Sequence, residues 1–336
     1  MTQEEQPTIN NLQSATQEIF LGIDGGQSHT EAIIANRDGK ILGRGRGTSG
    51  QTGKADEREG LRDAVIKSVG EALGVVAIGY VREFELASAH CAITGEAEEY
   101  KEEVVSEVLK AKILRVDHNE PAALYGATGG KAGIVVIAGT GSVAYGEDEH
   151  GNNARTGGWG HLFSDEGSGF WMAAQAVRRS LKSLDGFAET TLLAEKLLNY
   201  FNCADLRELT LKVYAEEITR DHLASFSREI HQVAMLGDKA AVQIVEGGAR
   251  LLSVLAVNTA ARLRFNERIP IAMMGGVFGS KLTRMFFTEA LKQSLSSAKI
   301  IEARFGAGIG ALILAYRAAG IELTEELLWN LETSSR

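Results

Sequence analysis

Glycine, and where it falls, constrains this chain more than any other feature. The sequence has 38 glycines against three prolines. The glycines gather at 22–26, 43–53, 126–146, 157–169, 275–279 and 306–310. A chain without low-complexity tracts that places glycine at the ends of apolar runs is expected to bring backbone close to a ligand.

Those clusters punctuate a pattern that occurs twice. Ile19 to Asp24 reads as a buried strand, followed by the turn GGQSHT and a second strand, EAIIAN. Asn36-Arg-Asp-Gly39 is a hairpin signal leading into a third strand. Leu61, Val65, Val69 and Ala72 recur at helical spacing. Phe84 to Ile93 and Ile113 to Val116 read as strands, with a helix between them around Tyr100, Val104 and Val108 and another from about Glu120 to Gly126. A second meander starts at Gly133, with strands GIVVIAG and VAYGE around a GTGS turn. Helices are expected over Ser168 to Ser183, Asp238 to Phe265, Lys281 to Ser294 and Gly308 to Ala319, with strands at Pro270 to Met274 and Lys299 to Glu302. A meander followed by alternating strands and helices implies a mixed sheet wrapped by helices in each half. A ligand cleft between the halves is the expectation.

The 336 residues fit two domains rather than one core. The net charge of −9 offers no basic field for nucleic acid, so a nucleic-acid partner is not expected. Cys91 and Cys203 lie far apart without a CxxC, which predicts reduced thiols rather than a disulfide, zinc or redox site. Phe305 to Tyr316, the longest apolar run, is too short to cross a bilayer, and residues 1–18 read as a polar tail without signal-peptide character. A cytoplasmic protein is the expectation.

Four loops carry chemistry. Asp24-Gly25-Gly26, with Ser28 and Thr30, ends the first strand; its N–H groups and hydroxyls suit an anion, and its carboxylate suits hydrated Mg²⁺. Taken alone it is also an ordinary tight turn. Gly139-Thr140-Gly141-Ser142 occupies the same place in the second half, and the two loops together could clamp a polyphosphate. Gly157-Gly158-Trp159-Gly160-His161 runs into Ser164-Asp165-Glu166-Gly167-Ser168-Gly169 and opens a helix. Its N–H groups are expected to be free for an anion, unless Ser164 or Asp165 simply caps the helix. Trp159, between glycines, suits stacking on a sugar ring or a base. Met274-Gly275-Gly276-Val277-Phe278-Gly279-Ser280 could admit a flat base or be a plain strand–helix loop. The pair Gly247-Gly248 inside a helix implies close packing against a ligand or another helix.

In this order, FLGIDGGQSHT, VVIAGTGSVAYG, GGWGHLFSDEGSGFW and MMGGVFGS resemble the BadF/BadG/BcrA/BcrD ATPase family over about Ile19 to Ala319. The GTGS and GGWG…DEGS pair is similar to its N-acetylglucosamine kinase branch, within the actin/hexokinase/Hsp70 superfamily. The resemblance implies an α/β fold of two ribonuclease H-like (actin-like ATPase) domains, each a mixed five-stranded sheet with helices. It places the N-terminal domain at 19–120, with helix 308–336 packing back on it, and the C-terminal domain at 121–307. It implies ATP and Mg²⁺ as cofactors, with Asp24 on hydrated Mg²⁺. Gly25, Gly26, Ser28 and Thr30 would form one phosphate loop and Gly139, Thr140 and Gly141 the other. Gly248, Gly275 and Gly276 would face the adenosine, and Gly158, Trp159, Gly160 and Asp165 the sugar.

The sequence departs from the family at two positions. The slot of the catalytic Asp falls on Asn119, which has no basic form near neutral pH. Asp117 or Glu120 would then substitute, or the chain would be a weak kinase or a sugar- and ATP-binding sensor. The slot of a sugar-facing Asn, near Gly50, leaves Gln51 or Ser49. The expected activity is phosphorylation of the C6 hydroxyl of an amino sugar, N-acetylglucosamine first, with glucosamine, N-acetylmuramic acid and glucose as alternatives. The expected partner is this small sugar rather than a membrane, with a homodimer as an assembly the resemblance leaves open.

Overall fold

The computed structural model describes residues 18–26, 29–49, 57–74, 81–82, 84–95 and 98–334. Ser28 and Gln51 therefore lie outside the described residues. The chain divides into two compact units. One runs up to Lys131 and resumes at Ala303; the other is Ala132–Glu302.

The first unit is built on strands β1 (Ile19–Gly25), β2 (Thr30–Asn36), β3 (Ile41–Gly47), β5 (Ser88–Ile93) and β7 (Leu114–Asp117), in the order β3-β2-β1-β5-β7. The first three run antiparallel through hairpins; β5 and β7 are parallel to β1. Strands β4 (Glu85–Leu86) and β6 (Lys110–Ala111) pair separately. β1 is apolar on both faces because helices cover both, as parallel neighbours require.

On one face lies helix α1 (Glu57–Leu73), and the reason it fits there is written in β3. A Cβ on Gly43, Gly45 or Gly47 would stand 1.9, 1.9 or 2.3 Å from the carbonyls of Ala72, Ser68 and Ala64. The alternating glycines of ILGRGRG thus present bare backbone to successive turns of α1, at the four-residue spacing of one helix face. The expectation that the 43–53 cluster served a ligand gives way, at these three positions, to strand–helix packing. On the other face, α11 (Ala307–Ala318) lies across β1, and a Cβ on Gly22 would sit 2.3 Å from the Leu312 nitrogen. Beside it packs α3 (Asn119–Thr128), with Gly310 against the Ala122 carbonyl. This packing is why residues 121–128, expected to open the second domain, belong with the first unit. Helix α12 (Glu325–Thr333) follows, and Asn330 Nδ2 donates to the Asp38 carbonyl at 2.9 Å.

The second unit repeats the plan. Strands β8 (Gly133–Ala138), β9 (Ser142–Glu147), β10 (Asn153–Gly157), β11 (Ile269–Met274) and β12 (Ala298–Ile301) lie in the order β10-β9-β8-β11-β12. β8, β9 and β10 are antiparallel, and β11 and β12 run parallel to β8. Two sheets of one topology, each a meander continued by parallel strands, constitute the two-domain actin-like fold. Between β10 and β11 comes a helical stretch: α4 (Gly169–Leu184), α5 (Leu192–Phe201), α6 (Leu206–Tyr214), α7 (Arg220–Ser225), α8 (Ser227–Met235) and α9 (Lys239–Ala260). α10 (Lys281–Ser294) connects β11 to β12. Among the described residues α9 alone is long and apolar enough to cross a membrane. Its buried Ile244, Val245, Ala249, Leu252 and Ala256 instead form the centre of this unit's core with Ile134, Val136 and Phe287.

Gly45→Ala tests the β3–α1 packing. Overpacking a close contact of this kind typically costs about 1–3 kcal/mol, so a lower urea midpoint with an unchanged m-value is expected.

Candidate functional site

In the first unit, the turn after β1 is organised by backbone. Gly26 N–H donates to the His29 carbonyl at 3.0 Å, and the Gly25 carbonyl accepts from both N–H and Oγ1 of Thr94, at 2.9 and 3.0 Å. Gly25, Gly26, Thr30, Ile93 and Thr94 line a small hollow with Leu61 and Tyr100. Two polar atoms here are buried without a hydrogen-bond partner, Asp24 Oδ1 and Thr30 Oγ1. Native folds rarely leave such atoms idle unless a ligand or ion completes them. Burial, reinforced by the charge of Glu31, pushes the Asp24 carboxyl from its ordinary 3.8 up to about 6. An idle carboxylate oxygen suits a hard cation such as Mg²⁺, which keeps most of its water shell and needs few protein ligands. Among the described residues no group of three or more His, Cys, Asp or Glu is placed to hold a metal.

Asp117 and Asn119 sit at the end of β7 and the start of α3. Asp117 is paired in register with Ala92, and its Oδ2 lies 3.6 Å from Nε2 of His90. Burial drives the His90 imidazole down to about 4, so at neutral pH this is a contact with a neutral ring rather than an ion pair. Asn119 is the first residue of α3, with His118 in the extended conformation as its N-cap. The strand alternation that would place Asp117 and Asn119 on one face therefore does not apply. Glu120, next in the helix, is 5% exposed, and a carboxylate in the first turn of a helix is favoured by the helix dipole.

In the second unit, the Gly139–Ser142 hairpin loop is held from below. Gly169 N–H donates to the Gly139 carbonyl at 2.8 Å, and Phe170 N–H to the Thr140 carbonyl at 3.2 Å. Trp171 N–H goes to Ser168 Oγ and Met172 N–H to the Ser168 carbonyl. The opening N–H groups of α4 are thus all engaged, so the anion site expected at this helix start is closed. The cap is Ser168, rather than Ser164 or Asp165. With its carbonyls tied down, the loop leaves the N–H groups of Thr140 and Gly141 without an acceptor among the described residues, as a phosphate cradle requires.

Asp165 is buried at 3% exposure, and its backbone is left-handed, φ 65°. Its Oδ1 accepts from Ser142 N–H at 3.1 Å, and its Oδ2 from Arg220 Nη2 at 2.9 Å. A Cβ on Gly141 would lie 2.8 Å from Asp165 Oδ1, so a larger residue there would displace the carboxylate. The residue read as a sugar ligand has both oxygens engaged inside the protein. Trp159 is 69% exposed, with the Arg155 guanidinium 5.2 Å over its ring and Arg155 Nη2 donating to the Gly158 carbonyl. Gly158 and Gly160, both at positive φ, turn the chain on either side of it. Leu162 and Phe163, 75% and 86% exposed, extend the apolar tip of the same loop. The sequence reading passed over these two, although an apolar pair inside a polar, glycine-rich loop was visible.

Gly275, at φ 97°, lies where a Cβ would meet the Ala138 carbonyl at 2.4 Å, so close approach to β8 demands glycine. Gly276 begins a short 3-10 turn and has open space where a side chain would be. Gly248 packs against Met172, Trp171 and Gly167, which gives it a helix–loop packing role without a ligand. Cys91, its thiol pushed up to about 12 by burial, and Cys203 are both free and buried.

The raised Asp24 carboxyl means that folding disfavours its charged form. The penalty is absent below the unfolded value of 3.8, grows as pH rises, and is complete above about 6. At neutral pH it amounts to roughly 3 kcal/mol. Asp24→Asn is therefore expected to raise the melting temperature of the ligand-free protein by several degrees at pH 7.5, with the advantage disappearing near pH 4. Thermal unfolding across that range checks the sign.

The model of the BadF/BadG/BcrA/BcrD ATPase family matches residues 21–315. The chain is similar to an N-acetylmuramic acid/N-acetylglucosamine kinase of Clostridium acetobutylicum, 30% identical across 88% of this chain and 97% of the relative. It is similar to an N-acetyl-D-glucosamine kinase of Dictyostelium discoideum, 27% identical across 89% and 98%. Among solved structures, a Chromobacterium violaceum protein described as a candidate N-acetylglucosamine kinase shares the fold, with a TM-score of 0.71, 22% identity, and 89% of this chain and 99% of that one covered. On these grounds the chain belongs to the BadF/BadG/BcrA/BcrD ATPase family.

Proposed function

We propose that this protein is an ATP-dependent sugar kinase that phosphorylates the C6 hydroxyl of an amino sugar, N-acetylglucosamine in the first instance. The observation that carries the reading is the Gly139–Ser142 loop, whose carbonyls are bonded into the protein while its Thr140 and Gly141 N–H groups stay open. The names of the relatives, all of them kinases of N-acetylglucosamine, N-acetylmuramic acid or glucosamine, support the substrate class.

In this reading the open N–H groups of Thr140 and Gly141 receive phosphates of ATP, and the turn at Gly25, Gly26 and Thr30 is a second phosphate-binding turn. Charge developing on the transferred phosphoryl group is stabilised there by preorganised donors. Asp24 would hold hydrated Mg²⁺, and the ion would neutralise phosphate charge. Gly275 and Gly276 border the adenosine. The exposed ring of Trp159, between Gly158 and Gly160, stacks on the sugar, with the apolar tip at Leu162 and Phe163 beside it. Of the groups around Asn119, the carboxylate of Glu120 takes the C6 hydroxyl proton: it is enclosed, and it stands in the helix's first turn. Asn119 orients the hydroxyl as a neutral hydrogen-bond partner.

ADP release with N-acetylglucosamine, glucosamine, N-acetylmuramic acid and glucose tests the activity. ATP binding without turnover of any sugar would replace it with the sensor reading. Thr140→Val removes the hydroxyl donor that the loop carries beside its open N–H groups and is expected to weaken ATP binding with the fold intact; calorimetry showing unchanged affinity would sink the phosphate-loop assignment. In single-turnover phosphorylation, Glu120→Gln is expected to lose about 10²–10⁴-fold, and Asp117→Asn less than tenfold. The reverse order would move the base to Asp117.

A further inference from the structure

Arg220 has no role in any motif of the sequence, yet it is bonded into the base of the phosphate loop. It is the first residue of α7, and its Nη2 lies 2.9 Å from Asp165 Oδ2. Asp165 in turn accepts from Ser142 N–H and fills the space beside Gly141. The connection therefore runs Arg220, Asp165, then the Gly139–Ser142 loop, across 55 residues of sequence. Ser142 Oγ adds a second tie, donating to the Glu166 carbonyl at 2.8 Å.

Three features show that this assembly is built for geometry at the expense of stability. Asp165 adopts a left-handed backbone, which is unfavourable for a side chain larger than glycine's and is characteristic of functional sites. Arg220 Nε is buried without a hydrogen-bond partner. An ion pair between a buried carboxylate and a half-buried guanidinium with an idle donor adds little net stability, since desolvation offsets the attraction. The bare Gly141 backbone lets the carboxylate pack directly against the loop, where a Cβ would lie 2.8 Å from Asp165 Oδ1.

We infer that Arg220 is a positioning residue for the phosphate chain of ATP: by holding the Asp165 carboxylate against Ser142 N–H, it sets the loop whose open N–H groups receive the phosphates. Arg220 acts through Asp165 and touches no reacting atom. The inference rests on the phosphate-loop reading above, and the experiment separates the two.

Binding of AMP and of the non-hydrolysable β,γ-imido analogue of ATP, each with Mg²⁺, is measured by calorimetry for wild type, Thr140→Val, Arg220→Ala, Arg220→Lys and the pair Arg220→Ala with Asp165→Asn. The expected result for Arg220→Ala is at least a tenfold loss for the ATP analogue and less than a twofold change for AMP, because in this reading the loop receives the β- and γ-phosphates, which AMP lacks. Arg220→Lys, which keeps the charge but loses the planar fork, is expected to recover part of the loss. The double variant is expected to bind no more weakly than Arg220→Ala alone, since both changes break one connection. Should Arg220→Ala fold poorly, Arg220→Lys and the charge-neutral double variant carry the same comparison. Equal losses for AMP and the ATP analogue, additive effects in the double variant, or an unchanged ATP-analogue affinity would each overturn the inference. If Thr140→Val also leaves the analogue's affinity unchanged, the phosphate-loop reading falls with it. If Thr140→Val weakens binding and Arg220→Ala does not, the inference alone falls.

Discussion

The arrangement of the second unit's site depends on where the first N–H groups of α4 go. A helix start must satisfy several backbone donors, and here two of them, from Gly169 and Phe170, bond the carbonyls of Gly139 and Thr140. The hairpin loop between β8 and β9 is thereby attached to a rigid helix through its acceptors. Only its donors remain available. A loop fastened in this way does not need to reorganise when an anion arrives, which is the condition under which backbone dipoles stabilise charge effectively. The same constraint brings Asp165, four residues before Gly169, under Gly141, and with it the Arg220 ion pair.

The first unit reaches a comparable end by a different physical route. Its turn after β1 holds a carboxylate that is destabilised in its charged form and lacks a partner for one oxygen. Such a group is costly in the ligand-free protein above the pH at which it ionises. The scaffold around it is dense: helices approach β1 and β3 so closely that bare glycine backbone faces helix carbonyls and nitrogens. Close packing of this kind holds the ends of β1, β5 and β7, and the turns that follow them, in place.

Much of this was legible beforehand. The meander turns at Asp24-Gly25-Gly26 and Gly139-Thr140-Gly141, the exposed Trp159 between glycines and the bounds of α10 follow from local pattern alone. The glycines were the ambiguous signal. Gly43, Gly45 and Gly47 serve α1, Gly248 serves the packing of α9 on the 167–172 segment, and Gly275 serves the approach to β8. A glycine in sequence says only that a Cβ is excluded. Whether helix, strand or ligand excludes it depends on what lies across the gap. The segment around Asn119 shows the same limit, since a change from strand to helix within two residues alters which side chains share a face.

The sequence by itself determined the doubled meander, the positions of the polar glycine loops and the class of chemistry those loops can perform, because turns, periodicity and motif spacing are local properties. The tertiary structure decided how the loops are held. Asp165 is engaged with Ser142 and Arg220, the α4 donors are already taken, and Asp24 is buried with an oxygen to spare. Each of these depends on groups far apart in the chain competing for the same few hydrogen-bonding positions, and that competition is resolved only when packing brings them together.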